Sequence, residues 1–214
     1  MSQQSKACIL QTGQDQCWDA RGHVIVPKDS GQDGELQKGT PSPTPRFVDN
    51  NDGTVSDKLT GLIWLKDADG FGELPWADAV TRAHELADGA AGLSDGSAAK
   101  DWRLPNIREL LSIIDYGSAD PIIPADHPFI NVKSAIYWTS TSLAPAPLLA
   151  WMMTLGIGPT VFDVKGSSCR MWPVRGLKGC VAKTGQKQCW DSKGSKLASC
   201  SGSGQVDKRP QATI

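Results

Sequence analysis

The apolar positions of this chain change period along its length, and the changes mark out its elements. From Arg46 to Asp57 the order Arg-Phe-Val-Asp-Asn-Asn-Asp-Gly-Thr-Val-Ser-Asp predicts a strand, an Asp52-Gly53 turn and a second strand. Thr60-Gly61 supplies another turn before a short apolar strand at 62–65. A helical stripe follows over 75–87: Pro75 suits the first turn, and Trp76, Ala79, Val80, Ala83, Leu86 and Ala87 share a side. After a Gly/Ser/Ala-rich loop over 88–100, a second helix is predicted from Pro105 or Asn106 to about Tyr116. Asn106 and Glu109 have capping-box spacing, Ile107, Leu110, Leu111 and Ile114 line one face, and Gly117 is placed to end it. Beyond Pro121, Pro124 and Pro128, strands are predicted at 135–140, 150–155, 160–164 and 169–175. Two helices followed by several short strands indicate an α+β fold.

Outside this body the strongest pattern is a repeat. Cys8-Ile-Leu-Gln-Thr12-Gly13-Gln14-Asp-Gln16-Cys17-Trp18-Asp19 recurs as Cys180-Val-Ala-Lys-Thr184-Gly185-Gln186-Lys-Gln188-Cys189-Trp190-Asp191, and Gly22 and Gly194 keep the same offset. A two-residue hairpin turn at Thr12-Gly13 would set Cys8 opposite Cys17 in a non-hydrogen-bonded pair, where a cross-strand disulfide finds its short Cβ separation. The same count around Thr184-Gly185 sets Cys180 opposite Cys189 and leaves Cys169 and Cys200 as a remainder pair. The alternative is six buried free thiols. The chain thus divides into an N-terminal hairpin module and lead-in (1–44), a body (45–177) and a C-terminal repeat of the module (178–214). A lone hairpin needs something to pack on, either its own body or a neighbouring molecule.

Composition narrows the function classes. A formal net charge of −1 without a basic run gives no footprint for nucleic acid or an anionic membrane. No stretch approaches the roughly 20 apolar residues of a membrane span. Six Cys against 3 His, without CxxC or paired-His spacing, favour disulfides over zinc and therefore an oxidising, extracellular setting. The first residues, Met-Ser-Gln-Gln-Ser-Lys, are not a signal peptide. His23, His84 and His127 lie far apart and fit no catalytic triad. The Asp/Asn cluster at 49–57 fails the calcium-loop pattern, since Gly53 would put Val48 at the first ligand position, and it reads as turn chemistry. No metal or cofactor is expected.

Several stretches together resemble the Lcl C-terminal domain family. They are Pro45-Arg46-Phe47, Asp52-Gly53-Thr54-Val55, Thr60-Gly61-Leu62-Ile63-Trp64, Asp101-Trp102-Arg103-Leu104-Pro105-Asn106, Glu109-Leu110, Tyr137-Trp138-Thr139-Ser140-Thr141-Ser142 and Pro173-Val174-Arg175-Gly176. The resemblance implies a C-type-lectin-like body on the surface of, or secreted by, a bacterium, with adhesion and glycan binding as the best-known use. The same fold is shared with formylglycine-generating enzymes. Those need two nearby redox cysteines that this chain lacks, so Arg103 and Glu109 are expected to be structural partners, and no enzyme is expected. The calcium-holding Glu-Pro-Asn and Trp-Asn-Asp motifs of sugar-binding lectins are also absent.

The segment 143–159, Leu-Ala-Pro-Ala-Pro-Leu-Leu-Ala-Trp-Met-Met-Thr-Leu-Gly-Ile-Gly-Pro, is almost free of polar side chains. It lies where lectin-like folds display long loops, and an exposed apolar loop of this length needs a covering partner. The candidate binding residues are accordingly Ser140, Thr141, Ser142, Leu143, Leu148, Leu149, Ile157 and Pro159. Two readings remain open here. One is a surface adhesion module that holds a glycan or protein ligand. The other is a structural subunit whose terminal hairpins and apolar loop dock head-to-tail into a homo-oligomer or filament.

Overall fold

The computed structural model describes residues 9–158, 160–176, 181 and 184–200. The N-terminal module contributes a small ribbon, β1 (Cys17–Trp18) with β2 (Val24–Ile25), and one helical turn, α1 (Asp33–Leu36). The body begins with β3 (Phe47–Asp49), β4 (Thr54–Asp57) and β5 (Ile63–Leu65), followed by β6 (Glu73–Pro75), α2 (Trp76–Glu85) and α3 (Ile107–Leu111). It continues with β7 (Ile136–Ser142), β8 (Leu149–Thr154), β9 (Thr160–Val164), β10 (Ser168–Arg170) and β11 (Val174–Arg175). The α+β class expected from the periodicity is the class observed.

Two sheets make the body. One runs β11-β5-β4-β3, antiparallel throughout, and the other runs β6-β10-β7-β8-β9, where only the β10–β7 contact is parallel. A single strand was expected over 169–175, but Pro173 lacks an amide hydrogen and cannot continue a ladder. The chain instead leaves the five-stranded sheet after Arg170 and enters the four-stranded one at Val174. Between them Trp172 is fully buried. Its ring meets Phe129 edge-on at 4.7 Å, Trp64 at 5.4 Å and Tyr137 at 6.0 Å, and its Nε1 donates to the Leu65 carbonyl (2.8 Å). A second cluster fills the opposite face of the five-stranded sheet, where Trp76, Ala79 and Ala83 of α2 pack on Trp138, Ala150 and Met152.

The two helices lie where the apolar stripes put them, with one correction. The Asn106–Glu109 capping box forms as expected. The helix was expected to run to Tyr116, yet it stops at Leu111. Ser112 Oγ donates back to the Glu109 carbonyl (2.6 Å), and the following amides bond three residues back, tightening the chain into turns. Gly117 therefore ends no helix; it lies against the Gly13 carbonyl.

The repeat is a repeated structure, but its hairpin differs from the expected one. Cys17–Trp18 pairs with Val24–Ile25, and Leu10 bridges to Thr40. The turn that closes the ribbon is built by Asp19, whose carboxylate accepts the amides of Arg21 (2.8 Å) and His23 (2.9 Å). The second copy repeats it bond for bond. Asp191 accepts the amides of Lys193 (2.9 Å) and Ser195 (2.8 Å), Trp190 bridges to Lys196, and Gly22 and Gly194 both have positive φ. The Thr-Gly step is instead a local turn, in which Gln14 and Gln186 each donate their amide to the hydroxyl two residues back.

This register overturns the proposed cysteine pairing. Cys189 is bonded to Cys200, with Cα atoms 5.5 Å apart, so neither Cys180–Cys189 nor Cys169–Cys200 stands. Cys17 is a buried thiol that accepts from Ser30 Oγ (3.3 Å), because its strand neighbour is Ile25, and the Cys8–Cys17 bond is excluded with it. Cys8 and Cys180 lie outside the described residues. Cys169 is a second buried thiol, against the Met152 sulfur, and burial pushes its pKa up to about 11. A peptide map of native protein alkylated before denaturation is expected to show the Cys189–Cys200 cross-link, with Cys17 and Cys169 labelled only after unfolding. Labelling of Cys189 in the native state would contradict this pairing.

Candidate functional site

The predicted site residues divide into three groups. Ser140, Thr141 and Ser142 are buried on β7 and spend their polar atoms internally. The Ser140 amide donates to the Pro105 carbonyl (2.8 Å), Thr141 Oγ1 accepts the Ile107 amide (3.1 Å), and the Ser142 carbonyl accepts from the C-terminal copy. They brace α3 against the sheet and are withdrawn as ligand contacts. Leu143 and Leu149 are half-buried, and Leu148 is exposed, at the β7–β8 turn. Ile157 is 81% exposed at the opposite end of β8. Pro159 lies outside the described residues.

The long apolar loop is therefore mostly strand. Its first half closes as a compact turn, with the Leu143 amide on the Leu149 carbonyl (2.9 Å) and the Ala146 amide on the Leu143 carbonyl (3.0 Å). The two prolines sit inside this turn, where neither is asked for a ladder hydrogen bond. Its second half is β8, paired on both sides.

The described part of the C-terminal copy sits on that turn. Gln186 Nε2 donates to the Ser142 carbonyl (2.9 Å), and Gly194 packs so closely that a Cβ there would stand 2.8 Å from the Leu148 amide nitrogen. Lys165, just after β9, supplies the third contact. Its ammonium donates to the Asp191 carbonyl (2.9 Å) and lies 4.0 Å from the centroid of the Trp76 ring. Burial pushes the Lys165 pKa down to about 8, against the opposing pull of Asp191. The chain's own repeat thus covers part of the surface that seemed to require a partner.

What stays open is the face of the β8–β9 ribbon away from α2. The alternation of β9 puts Phe162 and Val164 on that face, and the register sets Phe162 opposite Trp151 and Val164 opposite Leu149. Trp151 and Phe162 meet edge-on at 5.6 Å, Phe162 is 52% exposed, and Val164 is exposed beside it. Strand β9 is the sheet's edge. Sequence reasoning passed over these residues because Trp151 reads as an interior position. The usable signal was Thr-Val-Phe-Asp-Val, whose apolar side chains fall on both faces of a strand that only one helix can cover.

The Arg103–Glu109 pair is bidentate, and Arg103 also reaches the Leu104 and Gly176 carbonyls. The guanidinium meets both carboxylate oxygens, at 2.6 and 2.7 Å, and Glu109 Oε2 also accepts the Asn106 amide (2.8 Å) that completes the capping box. At 49–57 the carboxylates serve turns and two ion pairs: Asp52 accepts the Thr54 amide and hydroxyl, Asp49 pairs with Lys66, and Asp57 pairs with Arg46. Among the described residues no helix is long and apolar enough to cross a membrane, and no three His, Cys, Asp or Glu side chains are grouped to hold a metal ion.

No curated protein matches the chain. Residues 53–175, which take in the five-stranded sheet, α2, α3 and all of the four-stranded sheet but β3, match the model of the Lcl C-terminal domain, and the chain belongs to that family.

Proposed function

We propose that this chain is an extracellular, non-enzymatic adhesion module that holds its ligand on the open face of the β8–β9 ribbon. The observation that carries the reading is Phe162 and Val164, exposed on an edge strand, with the half-buried Trp151 of β8 edge-on to Phe162. Monomeric proteins rarely leave a contiguous apolar patch without use, and aromatic side chains are enriched where partners bind. The family's association with extracellular adhesins and the Cys189–Cys200 bond support a surface or secreted location. The proposal includes a C-type-lectin-like body, supported by the order of two helices among short strands. Phe162, Val164 and Trp151 bring little hydrogen-bonding capacity to the patch, which favours a protein ligand over a glycan, whose hydroxyls need polar partners beside an aromatic ring.

The test is adhesion of beads coated with the oxidised protein to an array of immobilised glycans and surface proteins. Phe162→Ser with Val164→Ser, both on exposed positions, is expected to lower retention at least tenfold while the far-UV circular dichroism stays unchanged. Equal retention by the folded double variant would refute this binding face.

A further inference from the structure

The two copies of the repeat fold alike but rest on the body through different sets of contacts. The N-terminal copy uses its Thr-Gly face: the Thr12 carbonyl accepts the Tyr116 amide (2.7 Å), and Gly13 packs on Asp115. Its position is fixed further by Gln32, which brackets Trp18 by bonding both its amide and its carbonyl, and by Gly34, where any Cβ would collide with the Gln16 carbonyl. The C-terminal copy docks through Gln186, beside its Thr-Gly step, on Ser142 and through its Asp-x-x-Gly face on Leu148 and Lys165. The counterpart of that face in the N-terminal copy is Asp19 to Gly22. It is exposed, and among the described residues nothing lies within 4 Å of where a Gly22 Cβ would be.

One molecule therefore carries two versions of the same key and one lock. The lock is specific. It offers a buried ammonium to a backbone carbonyl, a strand carbonyl to a Gln amide, and a backbone surface that admits only a glycine with positive φ. The N-terminal copy meets each demand with Asp19, Gln14 and Gly22, at the same spacing. We infer that the lock at Ser142, Leu148 and Lys165 also receives the N-terminal Asp19–Gly22 turn of a second copy of this chain, in exchange for the chain's own C-terminal turn, and so joins molecules head to tail. Because key and lock lie on different parts of the molecule, the contact is heterologous and extends by repetition. The tethered C-terminal turn competes at an effective concentration on the order of millimolar, so the intact chain is monomeric at micromolar concentration. This contact is separate from the ligand face proposed above and does not depend on it.

Asparagine tolerates a left-handed backbone better than other non-glycine residues, so Gly194→Asn preserves the turn while its Cβ clashes with the Leu148 backbone. This variant vacates the lock. By analytical ultracentrifugation the full-length Gly194→Asn protein is expected to form dimers and longer species at concentrations where the parent is monomeric. Adding Gly22→Asn, which meets no obstacle among the described residues, is expected to return it to a monomer. Lys165→Met in the Gly194→Asn background is expected to weaken association at least tenfold. A Gly194→Asn protein that stays monomeric with an unchanged near-UV spectrum overturns the inference. So does association that persists at equal strength with Gly22→Asn present. Loss of bead adhesion in Phe162→Ser with Val164→Ser bears on the ligand face alone.

Discussion

Replacing Asp57 by Asn is expected to cost about 3–5 kcal/mol of folding stability, the range for leaving one partner of a buried ion pair alone. Asp57 is 1% exposed and Arg46 only 5%. The guanidinium approaches both carboxylate oxygens, at 3.0 and 2.9 Å, and extends a third bond to the Ser112 carbonyl (2.6 Å) just beyond α3. The carboxylate also accepts the Leu59 amide and the Thr60 hydroxyl, which shape the turn into β5. The Asn variant has the same size, keeps one acceptor oxygen and turns an NH2 toward a cation with no other counter-charge among these contacts. Urea denaturation monitored by tryptophan fluorescence measures the loss. Removing both partners, as Arg46→Met with Asp57→Asn, is expected to cost less than the sum of the single changes, since the stranded charge is gone. A single-variant loss under about 1 kcal/mol would mean that water reaches the pair.

Features set by residues close in sequence were legible before any coordinates. The capping box at Asn106 needs only an Asn, a Glu three places on and an apolar run. The β3–β4 hairpin needs only its Asp-Gly turn, and β9 lies at 160–164 as expected. The misreadings came where a second local signal went unread or where a distant contact decided. Thr-Gly and Asp-x-x-Gly can both close a turn, and only the first was expected to, with two sulfurs aligned across it. The structure selects the second, because the Asp19 and Asp191 carboxylates close their own loops while the Thr-Gly step stays a local bend. The ligand loop was misread for a related reason. An apolar run is compatible with an exposed loop or a paired strand, and β8 became a strand because β7 and β9 both hydrogen-bond to it. The Trp151–Phe162 face was invisible because no local rule states which side of a sheet a helix will cover.

The second large effect is expected at Glu109, whose change to Ala should cost about 3–5 kcal/mol. One carboxylate performs two tasks, pairing with Arg103 and closing the start of α3 on the Asn106 amide. A lost helix cap alone costs about 1 kcal/mol, so a measured loss near that value would mean that the Arg103 pair contributes nothing. Glu109→Gln separates the two tasks. Its amide oxygen can still accept the Asn106 hydrogen, but the negative charge beside Arg103 is removed. The expected order of stability is parent, then Gln, then Ala, with the Gln variant closer to Ala if the ion pair dominates. The consequence reaches the proposed binding face through a short chain of contacts. The start of α3 holds β7 by the Ile107 amide on Thr141 and the Pro105 carbonyl on Ser140, and β7 in turn holds β8, which carries Trp151. Hydrogen exchange should therefore show the β7 and β8 amides of Glu109→Ala losing protection together, while those of β3 and β4 in the other sheet lose less. Uniform loss across both sheets would mean that the body opens only as a whole, and that Glu109 braces it globally instead of holding one ribbon in place.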